Sequence, residues 1–525
     1  MTLVAIPLAV VLASWRHPAG AVWAHLWETQ LAELLANTIL LAGGVGFGTL
    51  VLGTWLAWLV VGYEFPGRRL FEWALALPLA VPAYVIGFVF LGIFDFAGPL
   101  QSSLRAWLGE DARPPAVPAG VAVGIVMTLV FYPYVYLLAR TAFREQGLAT
   151  LEAARSLGRS RAQAFRKVVL PMARPSLAAG AALAMMEALA DFGTVTTFGY
   201  RTLTEAIYRV WTGMFDRIAA TQLASLLLVF SLGLLVLERA LRHRRRFTQS
   251  QRRGPAAVPL KLSGVRAAGA TLACTLVLAL AFALPVGQLM LWAVAALRST
   301  EPGRNFGHLL WSSFVLAGSA AAIICTVALT VAYAARLHPS RVAQHAGQFA
   351  SMGYALPGAV IAVGVLGPVA WLDRALSHGV SWLLDRPIDL VLTGSALAVL
   401  FAYLVRFLAV GFQTVDASLA KIPTSLDEAS HSLGVGTTAT LRRVHLPLLR
   451  PGVLTAFILA WVETMKELPA TLLLRPLGLK TLAIEVWERT SESLWIEAAL
   501  PALAIVLVGL VPLYLSARLG PGVLR

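Results

Sequence analysis

Apolar residues occupy this chain in long blocks rather than in alternating or narrow-stripe patterns. Twelve such blocks lie near 2–15, 36–62, 73–94, 119–138, 177–198, 218–238, 267–293, 311–335, 349–370, 390–411, 453–473 and 496–517. A helix needs about 20 apolar residues to cross a bilayer. Only helices and closed barrels satisfy every backbone group in hydrocarbon, and blocks of this length fit helices. The pattern predicts an all-α integral membrane protein with about twelve transmembrane helices. The first block is short and starts at Met1. It lacks the basic start of a secretory signal peptide and reads as a span.

Composition agrees: 58% of the 525 residues are hydrophobic and only 13% charged. A soluble domain has about 25% charged residues. The net charge of +15 would point to nucleic acid in a soluble protein, but here it reports topology. Lys and Arg accumulate on the cytoplasmic side of spans. Of the 42 basic residues, 27 fall on one side of the twelve-span arrangement and 13 on the other, with Arg406 and Lys466 inside spans. Both termini are therefore expected in the cytoplasm, the lipid bilayer is the expected surrounding, and nucleic acid is not an expected partner. The segment 239–266, with Arg242, Arg244, Arg245, Arg246, Arg252, Arg253, Gly254 and Pro255, reads as a basic cytoplasmic linker. The two cysteines, Cys274 and Cys325, sit in apolar blocks. They exclude a disulfide framework, and two thiols cannot fill a four-ligand zinc site. None of the nine histidines lies deep in an apolar block, and no stable metal site is predicted.

The two halves repeat each other. Leu41-Ala42-Gly43 and Pro82 recur 275 residues later as Leu316-Ala317-Gly318 and Pro357. Glu152, Gly158, Pro171, Pro175, Glu187 and Trp211 recur 276 residues later as Glu428, Gly434, Pro447, Pro451, Glu463 and Trp487. Chance apolar similarity would not hold polar residues in register. The chain reads as a duplicated six-span unit: a first repeat over 1–238, the linker 239–266, and a second repeat over 267–525. Because both repeats start and end in the cytoplasm, they are parallel repeats related by an axis along the membrane normal.

The loops between spans 4 and 5 (about 140–175) and between spans 10 and 11 (about 412–452) carry the most specific pattern. The first reads Glu152-Ala153-Ala154, three residues, Gly158, nine residues, then Val168-Val169-Leu170-Pro171. The second reads Glu428-Ala429-Ser430, three residues, Gly434, nine residues, then Val444-His445-Leu446-Pro447. Each predicts a helix, a break and a second helix: Glu-Ala-Ala favours helix, glycine permits the turn, and proline suits a helix start. These residues resemble the coupling loop of ATP-binding-cassette importers, here present twice at full spacing. The resemblance implies type I importer permease architecture. It also implies that Glu152, Ala153, Ala154, Gly158, Pro171, Glu428, Ala429, Gly434 and Pro447 serve coupling to a separate ATPase subunit, expected as a homodimer. The chain itself is not expected to be an enzyme. A phosphate-binding loop requires Gly-Lys-Ser/Thr, and none of Lys167, Lys261, Lys421, Lys466 and Lys480 follows a glycine. ATP and Mg are expected on the partner, with no cofactor on this chain. A periplasmic substrate-binding protein is the second implied partner.

Carboxylates also lie inside the apolar blocks. Glu187 and Asp191 in span 5, and Glu463 and Glu467 in span 11, are spaced i, i+4, which places each pair on one face of a continuous helix. Charge in mid-membrane marks a pathway by default. Glu187, Asp191, Glu463, Lys466 and Glu467 are therefore the candidate translocation path, with a Glu463–Lys466 ion pair as an alternative structural role. The stretches Glu187–Val195, Tyr208–Trp211, Glu463–Thr471 and Thr481–Trp487 look like iron(III) importer permeases. The resemblance implies ferric iron import by alternating access in a bacterial inner membrane. Thiamine, a phosphonate or a polyamine would fit the same architecture, and a proton-driven secondary transporter is the alternative of another class.

Overall fold

A computed structural model describes residues 2–18, 20–110, 117–243, 259–299, 306–337, 347, 350, 353–384 and 392–518. Among these residues, eleven helices are long and apolar enough to cross a membrane, and a shorter apolar helix, Val4–Arg16, precedes them. The protein is all-α, and among the described residues the one strand pairing is the parallel contact of Tyr63–Glu64 with Leu260–Lys261. That pairing ties down the end of the predicted basic linker. The linker's residues 244–258 lie outside the described residues, as do 519–525 at the end of the second repeat.

The chain forms two compact units, and each draws on both sequence halves. One comprises His25–Ala206, Val229–Pro302 and Val486–Arg525; the other comprises Met1–Ala24, Ile207–Leu228 and Gly303–Glu485. In the first unit the helices Leu31–Gly62, Ala119–Ala142 and Leu170–Ala190 pack on one another. Glycines allow the close approach. A Cβ on Gly53 would meet the Tyr132 carbonyl oxygen at 2.8 Å, and one on Gly180 would meet the Val135 Cα at 2.7 Å. Helix Trp495–Arg518 packs on Leu284–Ser299 in the same unit. In the second unit Phe306–Leu337, Ala396–Leu419 and Leu446–Lys466 form the corresponding group, and the N-terminal helix Thr2–Ala13 lies on Gly358–Leu384. There Trp15 Nε1 donates to Ser225 Oγ at 2.7 Å.

The duplication shows in single hydrogen bonds. Thr38 Oγ1 accepts from Leu203 N–H at 3.0 Å in one unit, and Ser313 Oγ accepts from Leu482 N–H at 2.8 Å in the other. Within apolar helices, hydroxyls such as those of Thr38 and Thr49 return their protons to carbonyls of the preceding turn. Each hydroxyl bonded in this way is spared an unpaired exposure to hydrocarbon, which would cost several kcal/mol.

The structure departs from the sequence expectation at three kinds of place. The helices expected to run unbroken through 198 and 473 stop at Ala190 and Lys466, and short helices Gly193–Thr197 and Pro469–Leu474 follow. The third block, expected as one span over 73–94, divides into Arg68–Ala74, a short 3-10 turn Leu77–Ala80 and Ala83–Phe94, with Pro82 extended between them. Finally, Pro171 and Pro447 do not begin their helices. Apolar runs of continuous helix extend over Arg161–Ala190 and Thr437–Lys466, and each proline is preceded by a π turn. The N–H of Leu170 reaches back five residues to Phe165 O, and that of Leu446 to Leu441 O. Proline lacks an N–H, and its ring crowds the carbonyl four residues back; the wider π turn absorbs both effects. The same device precedes Leu284-Pro285, where Leu284 N–H bonds Ala279 O.

Candidate functional site: two motif helices and two broken helices

The first Glu-Ala-Ala segment lies on the helix Leu148–Ser156, and Gly158 ends it with φ +81°. The second lies on Ser425–Ser432, and Gly434 ends it with φ +71°. Both glycines hold the left-handed conformation that other residues resist. The helix turns again at once. In the first loop Ser160 caps the next helix through a reciprocal pair with Gln163, an arrangement that satisfies two orphan N–H groups.

Within each motif the residues divide by exposure. Glu152, Ala153, Glu428 and Ala429 face outward, whereas Ala154 and Ser430 are buried. A small third residue is thus a packing requirement, because it lies against the body of its unit. The spacing pattern does not single out Leu157 and Leu433, yet they are 83% and 81% exposed. Large apolar side chains this exposed, beside a glutamate and an alanine, form a small apolar contact surface. Their recurrence at the 276-residue repeat was the signal available in the sequence.

The two motif helices are anchored by different chemistry. In the first, Leu151 and Ala154 join a buried apolar cluster with Val60, Val61, Tyr136, Phe143 and Val169. Trp58 packs on Phe165 with ring centroids 4.3 Å apart and on Phe143 at 5.6 Å. Arg161 lies over the Tyr63 ring and donates to Gly62 O at 2.5 Å. In the second, the repeat equivalents of Leu151 and Val169 are Asp427 and His445. The Asp427 carboxylate takes Arg336 at 2.7 Å and His445 Nε2 at 3.0 Å. Arg336 also donates to Leu419 O and Ile422 O, closing the end of helix Ala396–Leu419. Tyr333, at the repeat position of Trp58, stands edge-on to His445. An apolar anchor has been exchanged for an ionic one at the same place in the repeat.

Asp427→Ala should therefore loosen the second motif helix by about 1.5–3 kcal/mol, the scale of hydrogen bonds to charged groups. Adding His445→Val should restore part of the loss by replacing the buried polar ring that faced the lost carboxylate with the apolar residue of the first repeat. Thermal unfolding of the purified chain in detergent reads both effects; an unchanged midpoint for Asp427→Ala would contradict the anchor.

The candidate path residues sit at the two broken helices. Glu187 is half-buried in the last turn of Leu170–Ala190. Asp191 is the first residue beyond that helix, with extended ψ of 126°. Its Oδ1 accepts from Thr194 N–H at 2.8 Å, and its Oδ2 from Thr194 Oγ1 at 3.0 Å. In the second repeat Glu467 occupies the same position with ψ of 120°. Its Oε1 accepts from Ala470 N–H at 2.9 Å. The expectation that each carboxylate pair shares one face of a continuous helix is corrected: the second member of each pair lies past the helix end and caps the segment beyond. Glu463 and Lys466 do form an ion pair, at 3.2 Å.

A further contrast lies deeper. Arg406, on helix Ala396–Leu419, pairs with Glu467 Oε2 at 2.8 Å. The Tyr403 hydroxyl lies 2.5 Å from Thr471 Oγ1, which itself bonds Glu467 O at 2.9 Å. Gly358 leaves room for the pair; a Cβ there would strike both Arg406 and Glu467. The first repeat has no basic residue at the corresponding positions, 130 and 131 being Val130 and Phe131. Among the described residues, no three His, Cys, Asp or Glu side chains converge as a metal-binding group.

The sequence pattern of the binding-protein-dependent transport system inner membrane component matches the chain twice, over residues 49–247 and 327–525. The chain belongs to this family. It is a permease of the ABC binding-protein-dependent type, carrying two copies of the family domain in one polypeptide. The permease is similar to an Fe(3+)-transport system permease protein of Haemophilus influenzae, with 28% identity over 93% of this chain and 90% of the relative. It is also similar to a ferric transport system permease protein of Actinobacillus pleuropneumoniae, at 24% over 86% of this chain and 65% of the relative. A sulfate transport system permease protein of Salmonella typhimurium is 33% identical over 41% of this chain and 78% of its own length. In the permease, both motif helices and both broken helices fall inside the matched regions.

Proposed function

We propose that the permease carries ferric iron inward, driven by a separate ATPase that docks on the two motif helices, with substrate supplied by a binding protein on the opposite side. Glu152, Ala153, Leu157, Glu428, Ala429 and Leu433 are the contact residues for the ATPase; Ala154, Gly158, Gly434, Pro171 and Pro447 shape the loops that present them. Movement of each motif helix passes directly into the continuous helix behind it, through the π turn, to the break at Asp191 or Glu467. Glu187, Asp191, Glu463, Lys466 and Glu467 then line or control the path in an alternating-access cycle.

The observation that carries the choice of cargo is charge at the breaks. From Pro175 to Tyr200 the first repeat contains Glu187 and Asp191 and no Lys or Arg. In the second repeat Lys466 and Arg406 are both engaged with carboxylates. The balance is negative, which suits a hard cation with oxygen affinity and opposes a sulfate dianion. The relative that names Fe(3+) spans both halves, whereas the sulfate permease covers under half of this chain. Uptake into proteoliposomes holding ATP, with the ATPase and binding protein present, tests this. Radiolabelled iron(III) should accumulate and labelled sulfate should not. Sulfate accumulation without iron would overturn the assignment.

A further inference from the structure

The two motif loops share a backbone but not a surface. Each motif helix ends in the same two hydrogen bonds around its glycine. In the first loop Gly158 N–H bonds Arg155 O at 2.9 Å, and Arg159 N–H bonds Ala154 O at 3.1 Å. In the second, Gly434 N–H bonds His431 O and Val435 N–H bonds Ser430 O, both at 2.9 Å. This is a Schellman ending, in which the residue after the glycine is commonly apolar and packs toward the third-last residue of the helix. The second loop follows that rule, with Val435 half-buried and Ser430 buried. The first loop breaks it, because Arg159 at the same place is exposed.

A second difference lies in the last helical turn, where Arg155 stands at the repeat position of His431. Both are exposed, but His431 Nδ1 lies 2.8 Å from Asp427 O of its own helix. Among the described residues, neither Arg155 nor Arg159 has a side-chain hydrogen bond or ion pair. A base in the last turn suits the helix dipole, which accounts for 155 and 431 alike. It does not account for an arginine in the place of Val435. The basic pairs Arg166-Lys167 and Arg442-Arg443 are exposed and recur in register, so they do not distinguish the loops. The exposed Leu157 thus stands between two uncommitted guanidinium groups, whereas the equally exposed Leu433 stands between a histidine engaged with its own helix and a valine.

On the reading that these loops dock an ATPase, we infer that the first loop enters a groove with an apolar floor for Leu157 and carboxylates on its rim for Arg155 and Arg159. Its docking is electrostatically assisted, and that of the second loop lacks this assistance. An apolar centre within a polar rim is the common make-up of a protein interface. Guanidinium groups on such a rim pair well with carboxylates and steer the encounter. Lipid phosphate is the competing anion, and the length of the helix argues against it. The helical run Arg161–Ala190 carries 16 residues, 161–176, before its apolar block begins. They rise about 24 Å along the membrane normal, or about 18 Å at a tilt of 40°. The headgroup layer is only about 5–8 Å deep on each side. Arg155 and Arg159 therefore stand beyond it.

The test holds the full chain in nanodiscs of phosphatidylcholine and follows its association with the ATPase subunit that co-purifies with it, by surface plasmon resonance. Rates are recorded at about 10 mM and about 1 M salt, where the Debye length is about 30 Å and about 3 Å. Arg155→Gln/Arg159→Gln should associate about tenfold more slowly than the unaltered chain at low salt and match it at high salt, with an unchanged thermal midpoint. Arg155→Lys/Arg159→Lys keeps both charges and should keep the salt dependence. His431→Gln should leave that dependence as it is. If the Arg155→Gln/Arg159→Gln chain associates like the unaltered chain at both salts, while Leu157→Asp still weakens association, this inference falls and the docking reading stands. If the unaltered chain binds no ATPase, or Leu157→Asp/Leu433→Asp binds it undiminished, both fall. A loss seen only in nanodiscs containing phosphatidylglycerol would overturn the inference in favour of lipid headgroups.

Discussion

Arg406→Leu is expected to destabilise the fold of the permease by about 3–5 kcal/mol, the usual consequence of removing one partner from a buried ion pair. Arg406 and Glu467 have side chains 12% and 3% exposed. With the guanidinium gone, the Glu467 carboxylate stays enclosed while its other oxygen remains committed to Ala470 N–H. The loss should appear as a lowered thermal midpoint and as reduced yield of folded chain. Glu467→Gln in the same molecule should restore part of the stability, because an amide can still accept from Ala470 and carries no charge. Glu467→Gln alone should also be costly, since it leaves Arg406 buried with a neutral neighbour. The signature is therefore two damaging single changes whose combination is milder than their sum. Additive losses would show that the pair is not energetically coupled. The corresponding positions of the first repeat lack the arginine, so Val130→Ala should cost only what its packing contributes, about 0.5–3 kcal/mol on general grounds.

This contrast marks where sequence reading succeeded and where it stopped. Span count and class were legible because a bilayer leaves few alternatives: long apolar blocks must become helices. The repeat was legible because polar residues, unlike leucines, do not recur in register by chance. The motif helices were legible from Glu-Ala-Ala and a glycine, and the positive φ of Gly158 and Gly434 gives the physical reason for the glycine. The break at Asp191 was not. Ala190-Asp191-Phe192-Gly193 and Lys466-Glu467-Leu468-Pro469 sit in the middle of apolar blocks, and periodicity cannot detect an end that is satisfied by side-chain capping. Pro469 hinted at it in the second repeat, but Gly193 at the equivalent place is a weaker signal. The π turns were equally hidden. Leu-Pro suggested a helix start, whereas the backbone retains the helix and widens it by one residue. The ionic anchor of the second motif helix required knowing that residues 336, 427 and 445, far apart in sequence, meet.

The reciprocal make-up of the compact units also lay beyond a linear reading. The N-terminal helix and Arg217–Leu228 belong with the second repeat's helices, and Val486–Arg525 with the first repeat's. Blocks of similar hydrophobicity carry no address for their neighbours. Close contacts such as Ser14 with Gln222, or Trp15 with Ser225, supply it.

The second large effect concerns the motif helices. Leu157 and Leu433 are exposed, so replacing both with aspartate should leave the stability of the chain within about 0.5 kcal/mol of the original, as for other surface changes. In the complex these side chains would be buried in the ATPase, each contributing about 1.5–3 kcal/mol. Losing both, and placing two charges in an apolar contact, should weaken assembly by roughly a hundredfold or more. A structural helix without a partner would show neither loss. The central claim, that this permease is driven through its two motif helices, is tested most directly by ATP-dependent uptake and ATP hydrolysis measured together in proteoliposomes. The Leu157→Asp/Leu433→Asp chain should remain folded and monodisperse, yet give no uptake and no hydrolysis stimulated by loaded binding protein, with each single variant between it and the unaltered chain. Uptake and stimulated hydrolysis at the unaltered rate in the double variant would contradict the account.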